Sequence, residues 1–282
     1  MPKIAFSTVA CPSWTLERVA AAAAEWGFDA VELRSYGHRD SDFACDPGLT
    51  DPEKVRDIFA EAGVEIAGLA SGVRFDAPIF PPVVGLLLPS VEASVREGRH
   101  MVQVAHETAA PYVRVFAFEI PRRESRRSAL RRICDRLAKV CDYARGREVT
   151  VLIENGGGFP TSSDLLEIMS RVDSPFLAAS YDIATAVAGG EDPVAGARAL
   201  GARLRCGRLR DLRGAQPVPL GQGELPCRAF AQAVAQGSAE AVLVCTWDRA
   251  WMSELAPAEK VLPGAARLLH EWTRTGTITA AA

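Results

Sequence analysis

VTVLIENGGGFPTSSDLLEIMSRVDSPFLAASYD, residues 149–182, is the stretch on which the fold turns. It opens with an apolar run ending in an acid (Val149–Glu154) and passes through a glycine-rich turn. An amphipathic segment (Ser163–Arg171) then leads to a second apolar run (Phe176–Tyr181) closed by Asp182. Two short apolar runs joined by a helical stretch form a parallel βαβ unit, because parallel strands buried on both faces read as continuous apolar segments. The same alternation extends outward in both directions. Further strands are expected at Lys3–Ser7, Ala30–Leu33, Glu65–Leu69, Tyr112–Phe116, Arg203–Arg210 and Ala241–Thr246. Helices are expected at Leu16–Trp26, Pro52–Ala62, Val91–Ala109, Arg126–Ala144, Pro193–Leu200, Arg228–Ala235 and Ala258–Trp272. Asp51-Pro52 and Asp192-Pro193 place a capping acid before a proline at the first helical position, and Gly27 and Gly63 stand where helices stop.

Eight strand–helix units in 282 residues predict an α/β protein, a single-domain (β/α)8 TIM barrel. The barrel is expected over residues 1–274, with 275–282 as a small, polar, flexible C-terminal tail. An open doubly wound sheet is the alternative, but no GxGxxG follows the first strand, which leaves a dinucleotide site without support. With 32 Lys+Arg against 35 Asp+Glu, the net charge of −3 argues against a nucleic-acid partner. The longest apolar run, Ala77–Pro89, is broken by prolines and too short to span a bilayer, so no membrane partner is expected. The N-terminal residues show no charged region leading into a long apolar stretch, and seven scattered cysteines lack any CxxC. The location expected is cytoplasmic, with reduced thiols.

A barrel of this kind carries its chemistry at the C-terminal ends of its strands. There the sequence places Glu32, Arg34, Ser71, Arg74, Arg114, Glu154, Asn155, Asp182, Arg208 to Asp211, and Thr246 to Asp248. Glu154 and Asp182 each end an apolar strand, and paired carboxylates suit a divalent metal or acid–base work; structural acids bonded to loop amides are the alternative. In the seventh strand, RLRCGRLRDL, Arg208 and Arg210 share one face. A buried guanidinium needs an acid or an anionic ligand, and Glu154 and Asp182 are the acids expected to pair with Arg208. Outward-tilting arginines between helices are the competing reading. His38 follows the second strand, whereas His100, His106 and His270 fall on outer helices. The proline-rich segment 76–89 reads as a lid over the mouth or as a loop packed on its rim.

The blocks GLASGVRF, YVRVF, VTVLIENGGGFPTS, YDIATAVAGGEDP, RLRDL, PVPLGQGELP and VCTWD, with STVACPSWTLERVAAAAAEWGFDAVELR before them, resemble the sugar phosphate isomerase/epimerase group of xylose isomerase-like TIM barrels. The resemblance runs from Ile4 to Trp272 and implies a (β/α)8 barrel. In most members it also implies a divalent metal held by Glu, Asp, His and Glu at the ends of strands five to eight. Carried over residue by residue, Glu154 and Asp182 match. Arg208 stands in place of the His and Thr246 in place of the final Glu, while Gly156 and Thr185 replace two supporting histidines. Arginine cannot ligate a cation, so the site is expected to be metal-free and without a cofactor, unless Cys206 and Asp248 rescue a divalent site.

The expected function is an isomerase/epimerase- or lyase-like enzyme (cyclisation included). It acts by proton transfer on a small, polar, anionic carbonyl or hydroxy compound, in specialised metabolism. Glu154, Asp182 and Arg208 are the catalytic candidates. Arg34, His38, Arg74, Arg114, Arg210, Asp211, Thr246 and Trp247 are the substrate-binding ones. The partner expected is a small-molecule substrate, with a homodimer as the default assembly. Two alternatives stand beside it: a catalytically silent barrel binding a small ligand or a protein, and a metal-dependent sugar (phosphate) isomerase or epimerase. An abasic-site nuclease, also known among relatives, needs histidine ligands and a basic face that this chain lacks.

Overall fold

A computed structural model describes residues 1–36, 43–78, 92–122 and 124–274. Eight parallel strands close into a barrel: β1 (Lys3–Ser7), β2 (Ala30–Arg34), β3 (Glu65–Arg74), β4 (Tyr112–Phe116), β5 (Thr150–Glu154), β6 (Leu177–Asp182), β7 (Leu204–Leu209) and β10 (Val242–Cys245). β10 pairs with β1 and completes the circle. The helices are α1 (Leu16–Trp26), α2 (Pro52–Glu61), α3 (Ala93–Glu107), α4 (Arg126–Arg145), α5 (Ser162–Val172), α6 (Ile183–Ala188), α7 (Pro193–Leu200), α8 (Cys227–Gly237) and α9 (Ala258–Arg274). The (β/α)8 barrel expected from the alternation is the architecture observed. No helix among the described residues is long and apolar enough to cross a membrane. The tail 275–282, His38 and most of the segment 76–89 lie outside the described residues.

Local chemistry explains most boundaries. Asp51 accepts the amides of Glu53 and Lys54 ahead of Pro52, and Asp192 accepts that of Val194 ahead of Pro193. Thr161 and Asp164 form a reciprocal capping box at the start of α5. Gly27, at φ 78°, ends α1 in the left-handed conformation that a residue with a Cβ rarely adopts.

Three elements depart from the sequence reading. β3 runs to Arg74 rather than stopping at Leu69, since Ala70, Ser71 and Gly72 extend the strand although they carry no apolar signal. Asp182 caps a short extra helix, α6, by accepting the amide of Thr185. A small antiparallel hairpin, β8 (Asp211–Arg213) with β9 (Gln216–Val218), follows β7 and turns at Gly214, φ 57°.

Two cores result. The larger lies between sheet and helices. The smaller fills the barrel with Ala5, Ala30, Ala67, Ala178, Leu152, Cys206, Val242 and Val244 around one large side chain, Tyr112. Those alanines make room for the Tyr112 ring, and Gly68 completes the space: a Cβ there would overlap the ring itself. Because Tyr112 is buried and packed on every side, the ring has nowhere to go. Gly68→Ala is therefore expected to cost about 1–3 kcal/mol by overpacking. Thermal denaturation of Gly68→Ala and Gly68→Ala/Tyr112→Leu checks this. The double variant should recover part of the loss, and an unchanged melting temperature in the single variant would show that the floor is loosely packed.

Candidate active site

Above the floor the inward-facing residues turn polar. Alternation along the strands brings Glu32, Arg114, Glu154, Ser180 and Arg208 into the barrel's upper layer. All five are buried. Arg208 donates through Nη1 to both oxygens of Glu32, at 2.6 and 2.7 Å, and through Nη2 to Thr246 Oγ1 at 3.2 Å. Its Nε lies 3.3 Å from Glu154 Oε2, an ion pair without hydrogen-bond alignment. Glu154 also accepts Arg114 Nη1 at 2.9 Å on Oε1 and Ser180 Oγ at 2.8 Å on Oε2. Tyr112, from the floor, places its hydroxyl 3.3 Å from Glu32 Oε1.

Two carboxylates and two guanidiniums thus neutralise one another in a site whose side chains are 0–8% exposed. Charges withdrawn so far from water persist only when paired and hydrogen-bonded. Burial opposes ionisation of Glu32, but Arg208 and Arg114 overcome it and hold its carboxyl below the usual range. Burial likewise opposes the charge on Arg208, and Glu32 and Glu154 raise it well above the ordinary arginine value.

A second, shallower layer is built on Asp182 and Arg210. Arg210 reaches Asp182 Oδ2 at 2.9–3.0 Å and Asp248 Oδ2 at 2.9 Å, and it retains 29% of its side-chain exposure. Asn155 fixes Asp182 from β5 by accepting its amide at 2.7 Å and donating to its carbonyl at 3.1 Å. Burial raises the pKa of Asp182, and Arg210 with the Thr185 amide brings it below the usual carboxylate value.

The expected partnership of Arg208 with both Glu154 and Asp182 is therefore half corrected. Asp182 and Arg208 are register neighbours, yet the Asp182 carboxylate turns up to cap α6 and meet Arg210. The long Arg208 side chain instead crosses the barrel to Glu32. Glu32 was visible as an acid between Val31 and Leu33 in an apolar strand, the signal that marks it as a partner for a buried cation.

The remaining candidates separate. Arg114 and Thr246 join the buried layer. Arg34 lies at the rim with Nη1 3.4 Å from the Ala70 carbonyl. Arg74 is half exposed, 3.9 Å from Asp76 and above the Phe118 ring. Asp211 faces away from the mouth: its carboxylate gathers the amides of Leu212, Gly221, Gly223 and Leu225 and so anchors the loop after the hairpin. Trp247 is buried, with its indole N–H on the Ala256 carbonyl, which makes it a packing residue of the β10–α9 loop.

The donor set does not suit a divalent cation. Glu154 and Asp182 are each engaged by a guanidinium, and the two further positions hold Arg208 and Thr246. Asp248 is paired with Arg210, and burial, then Glu32, pushes the Cys206 thiol up to about 12, far from a thiolate. Among the described residues no group of three His, Cys, Asp or Glu side chains is placed to share a metal.

A family model described as xylose isomerase-like TIM barrel matches residues 20–272. No curated protein matches the chain. Among solved structures, an L-ribulose 3-epimerase superposes with TM-score 0.78 at 15% identity, covering 100% of this chain and 99% of its own. The probable 3-DHS dehydratase AsbF involved in petrobactin synthesis from Bacillus anthracis gives 0.76 at 16%, covering 95% and 98%. A D-allulose 3-epimerase from Methylomonas sp. gives 0.73 at 14%, with 98% of each chain covered. At these identities the likeness is one of fold.

Proposed function

We propose, since this chain belongs to the xylose isomerase-like TIM barrel family, that it is an isomerase/epimerase- or lyase-like enzyme whose proton-transfer site works without a bound metal. The observation that carries the reading is Arg208, a buried guanidinium between two carboxylates at the position where the family resemblance implies a histidine ligand. The substrate proposed is a small polar molecule with a carbonyl or hydroxyl beside the carbon that exchanges its proton, and with an anionic group. Glu154 supplies the carboxylate that takes and returns the proton; each of its oxygens retains acceptor capacity beyond its present partners. Arg210, the guanidinium of the site nearest solvent, donates to the oxyanion that develops on the neighbouring carbon. Arg208 and Asp182 are positioning residues: one fixes the charge of Glu32 and Glu154, and the other aims Arg210. A cytoplasmic location and a role in specialised metabolism belong to the same proposal.

One observation favours a second reading. Every carboxylate in the mouth already faces a guanidinium, an arrangement that equally suits a catalytically silent barrel binding a small ligand. Solvent-exchange screening separates the two. The protein is incubated in D2O with 2-hydroxy acids, 2-keto acids and ketoses, sugar phosphates included, and C–H to C–D exchange is read by NMR, with metal content measured on the same preparation. The proposed enzyme exchanges at least one compound, insensitively to chelator and with no stoichiometric metal. Exchange abolished by chelator, or near-stoichiometric Mn, Zn, Co or Fe in the protein, would return the metal-dependent isomerase to the front. No exchange across the panel would leave the binding barrel.

A further inference from the structure

Four arginines point into or over the mouth, and they are not equivalent. Arg114, Arg208 and Arg210 each have a carboxylate within 2.9 Å. Arg34, at the end of β2, has none among the described residues. Its Nη1 makes one long contact, 3.4 Å, with the Ala70 carbonyl, and its Nε, like those of Arg114 and Arg208, is buried without a hydrogen-bond partner among the described residues. Tyr36, two residues on, likewise has its hydroxyl buried without a partner among the described residues. Both groups are donors, and both are left unsatisfied on the same side of the mouth. A buried donor without an acceptor costs free energy that native proteins rarely leave unrecovered, above all on a cation.

The surroundings are those of a seat rather than of a packing fault. The Arg34 guanidinium carbon is 5.2 Å from the Tyr36 ring centroid and 5.9 Å from that of Trp251, a residue 59% exposed. These rings wall the cation on its outer side while leaving it reachable, and they meet edge-on with centroids 5.7 Å apart. Exposed Gly72 of β3 also stands beside it, where a Cβ would come within 3.1 Å of Arg34 Nη2. Asp46 holds the Tyr36 backbone by accepting its amide at 2.9 Å, and Thr8 Oγ1 accepts that of Arg34 at 2.9 Å, so both side chains spring from a fixed backbone. Burial, then the like charge of Arg114, brings Arg34 down to about 10, which leaves it cationic at neutral pH. Burial also raises Tyr36, which stays a protonated donor.

We infer that Arg34 and Tyr36 form the seat for an oxyanion, a carboxylate or phosphate carried by the small molecule that enters this mouth. The inference rests on the proposed reading of the mouth as a substrate site and narrows the substrate to a compound with one such group. An oxyanion reaching the half-buried Arg34 guanidinium neutralises its unpaired charge, and a turn of the two side chains brings the occluded Nε and the Tyr36 hydroxyl onto it as donors.

The test is binding rather than turnover. Inorganic phosphate and acetate are titrated separately into the protein at constant ionic strength, followed by tryptophan fluorescence and calorimetry. Saturable binding of at least one anion is expected. Arg34→Gln should weaken it tenfold or more, the order expected for losing a charge-assisted pair, and Tyr36→Phe severalfold. Exposed Arg145→Gln, remote from the mouth, should leave it unchanged. Preference for phosphate would mark a phosphorylated substrate, and preference for acetate a carboxylic acid. If neither anion saturates, or if Arg34→Gln binds as tightly as the parent, the inference is overturned. Should Arg34→Gln not fold, Tyr36→Phe decides, because it removes only an oxygen that has no hydrogen-bond partner among the described residues; undiminished binding in that variant would overturn the seat. Glu154→Asp is titrated alongside and should bind the anion as the parent does. Anion binding by the parent with no exchange of any compound in the panel would remove the proposed chemistry and leave the seat standing.

Discussion

Arg208→Met should lose about 3–5 kcal/mol of folding stability, the usual cost of deleting one partner of a buried ion pair. Against a typical 5–15 kcal/mol for a folded domain, that is a large share. Methionine fills much of the same volume, so the loss is electrostatic: Glu32 is left fully buried with the Tyr112 hydroxyl at 3.3 Å but no guanidinium hydrogen-bonded to it among the described residues. The pH dependence should change sign with it. In the parent protein Glu32 is held below its ordinary value, so its contribution is present above the unfolded carboxylate range and is lost as the pH falls through the lower folded value. Without Arg208, burial prevails and the folded carboxyl titrates above its unfolded value. Stability should then fall as the pH rises from about 4 through that raised value, because the folded state retains a proton that the unfolded state releases. Chemical denaturation of parent and Arg208→Met at pH 5 and pH 8 measures both effects. Glu32→Leu/Arg208→Met should regain much of the loss, since Glu154 keeps Arg114 as a one-to-one partner. A single variant within 1 kcal/mol of the parent, or a double variant no better than the single, would mean that the pair contributes little.

The second large effect concerns turnover. Once the exchange screen supplies a substrate, Glu154→Gln should slow exchange by about 100- to 10,000-fold, the range for losing a positioned acid–base group. The substitution also removes a negative charge from between two guanidiniums, so the fold weakens and assays belong well below the melting temperature. Glu154→Asp separates chemistry from folding. It keeps the charge balance but withdraws the carboxylate by one methylene, and it should retain near-parent stability while losing a large part of the rate. Exchange within a few-fold of the parent in both variants would take Glu154 out of the mechanism. Asp182 would be left as the carboxylate to test, although its engagement with α6 and Arg210 makes it the less mobile of the two.

The contrast between Asp211 and Glu32 shows how far sequence carries such a site. Both are acids at strand ends, and only Asp211 lies within an arginine-rich motif. The structure nevertheless spends Asp211 on four backbone amides and gives Glu32 the central guanidinium. Trp247 was similarly placed at a strand end, and a single hydrogen bond to Ala256 makes it part of a loop's packing.

What the amino-acid sequence determined by itself is everything that depends on local period and capping. Eight apolar runs, their intervening amphipathic helices, the Asp-Pro starts and the Gly27 stop define a (β/α)8 barrel. Local alternation then puts Glu154, Asp182, Arg208 and Arg210 at its mouth. Arg208 and Thr246, standing at two of the four positions where the family resemblance implies metal ligands, are also legible there. Pairing was decided only by the closed barrel. Register shifts between β2 and β3 and between β6 and β7 rotate side chains in ways no local period records. A guanidinium on a long side chain spans the distance across a barrel whose floor is lined by alanine, so Arg208 meets an acid 176 residues away in sequence rather than the one beside it. The same closure leaves Arg34 and Tyr36 with donors that no side chain of the mouth accepts from among the described residues. Which charges neutralise one another, and which remain for a ligand, is a property of that enclosed geometry, because the energy of a buried charge is set by what stands within a few ångströms of it.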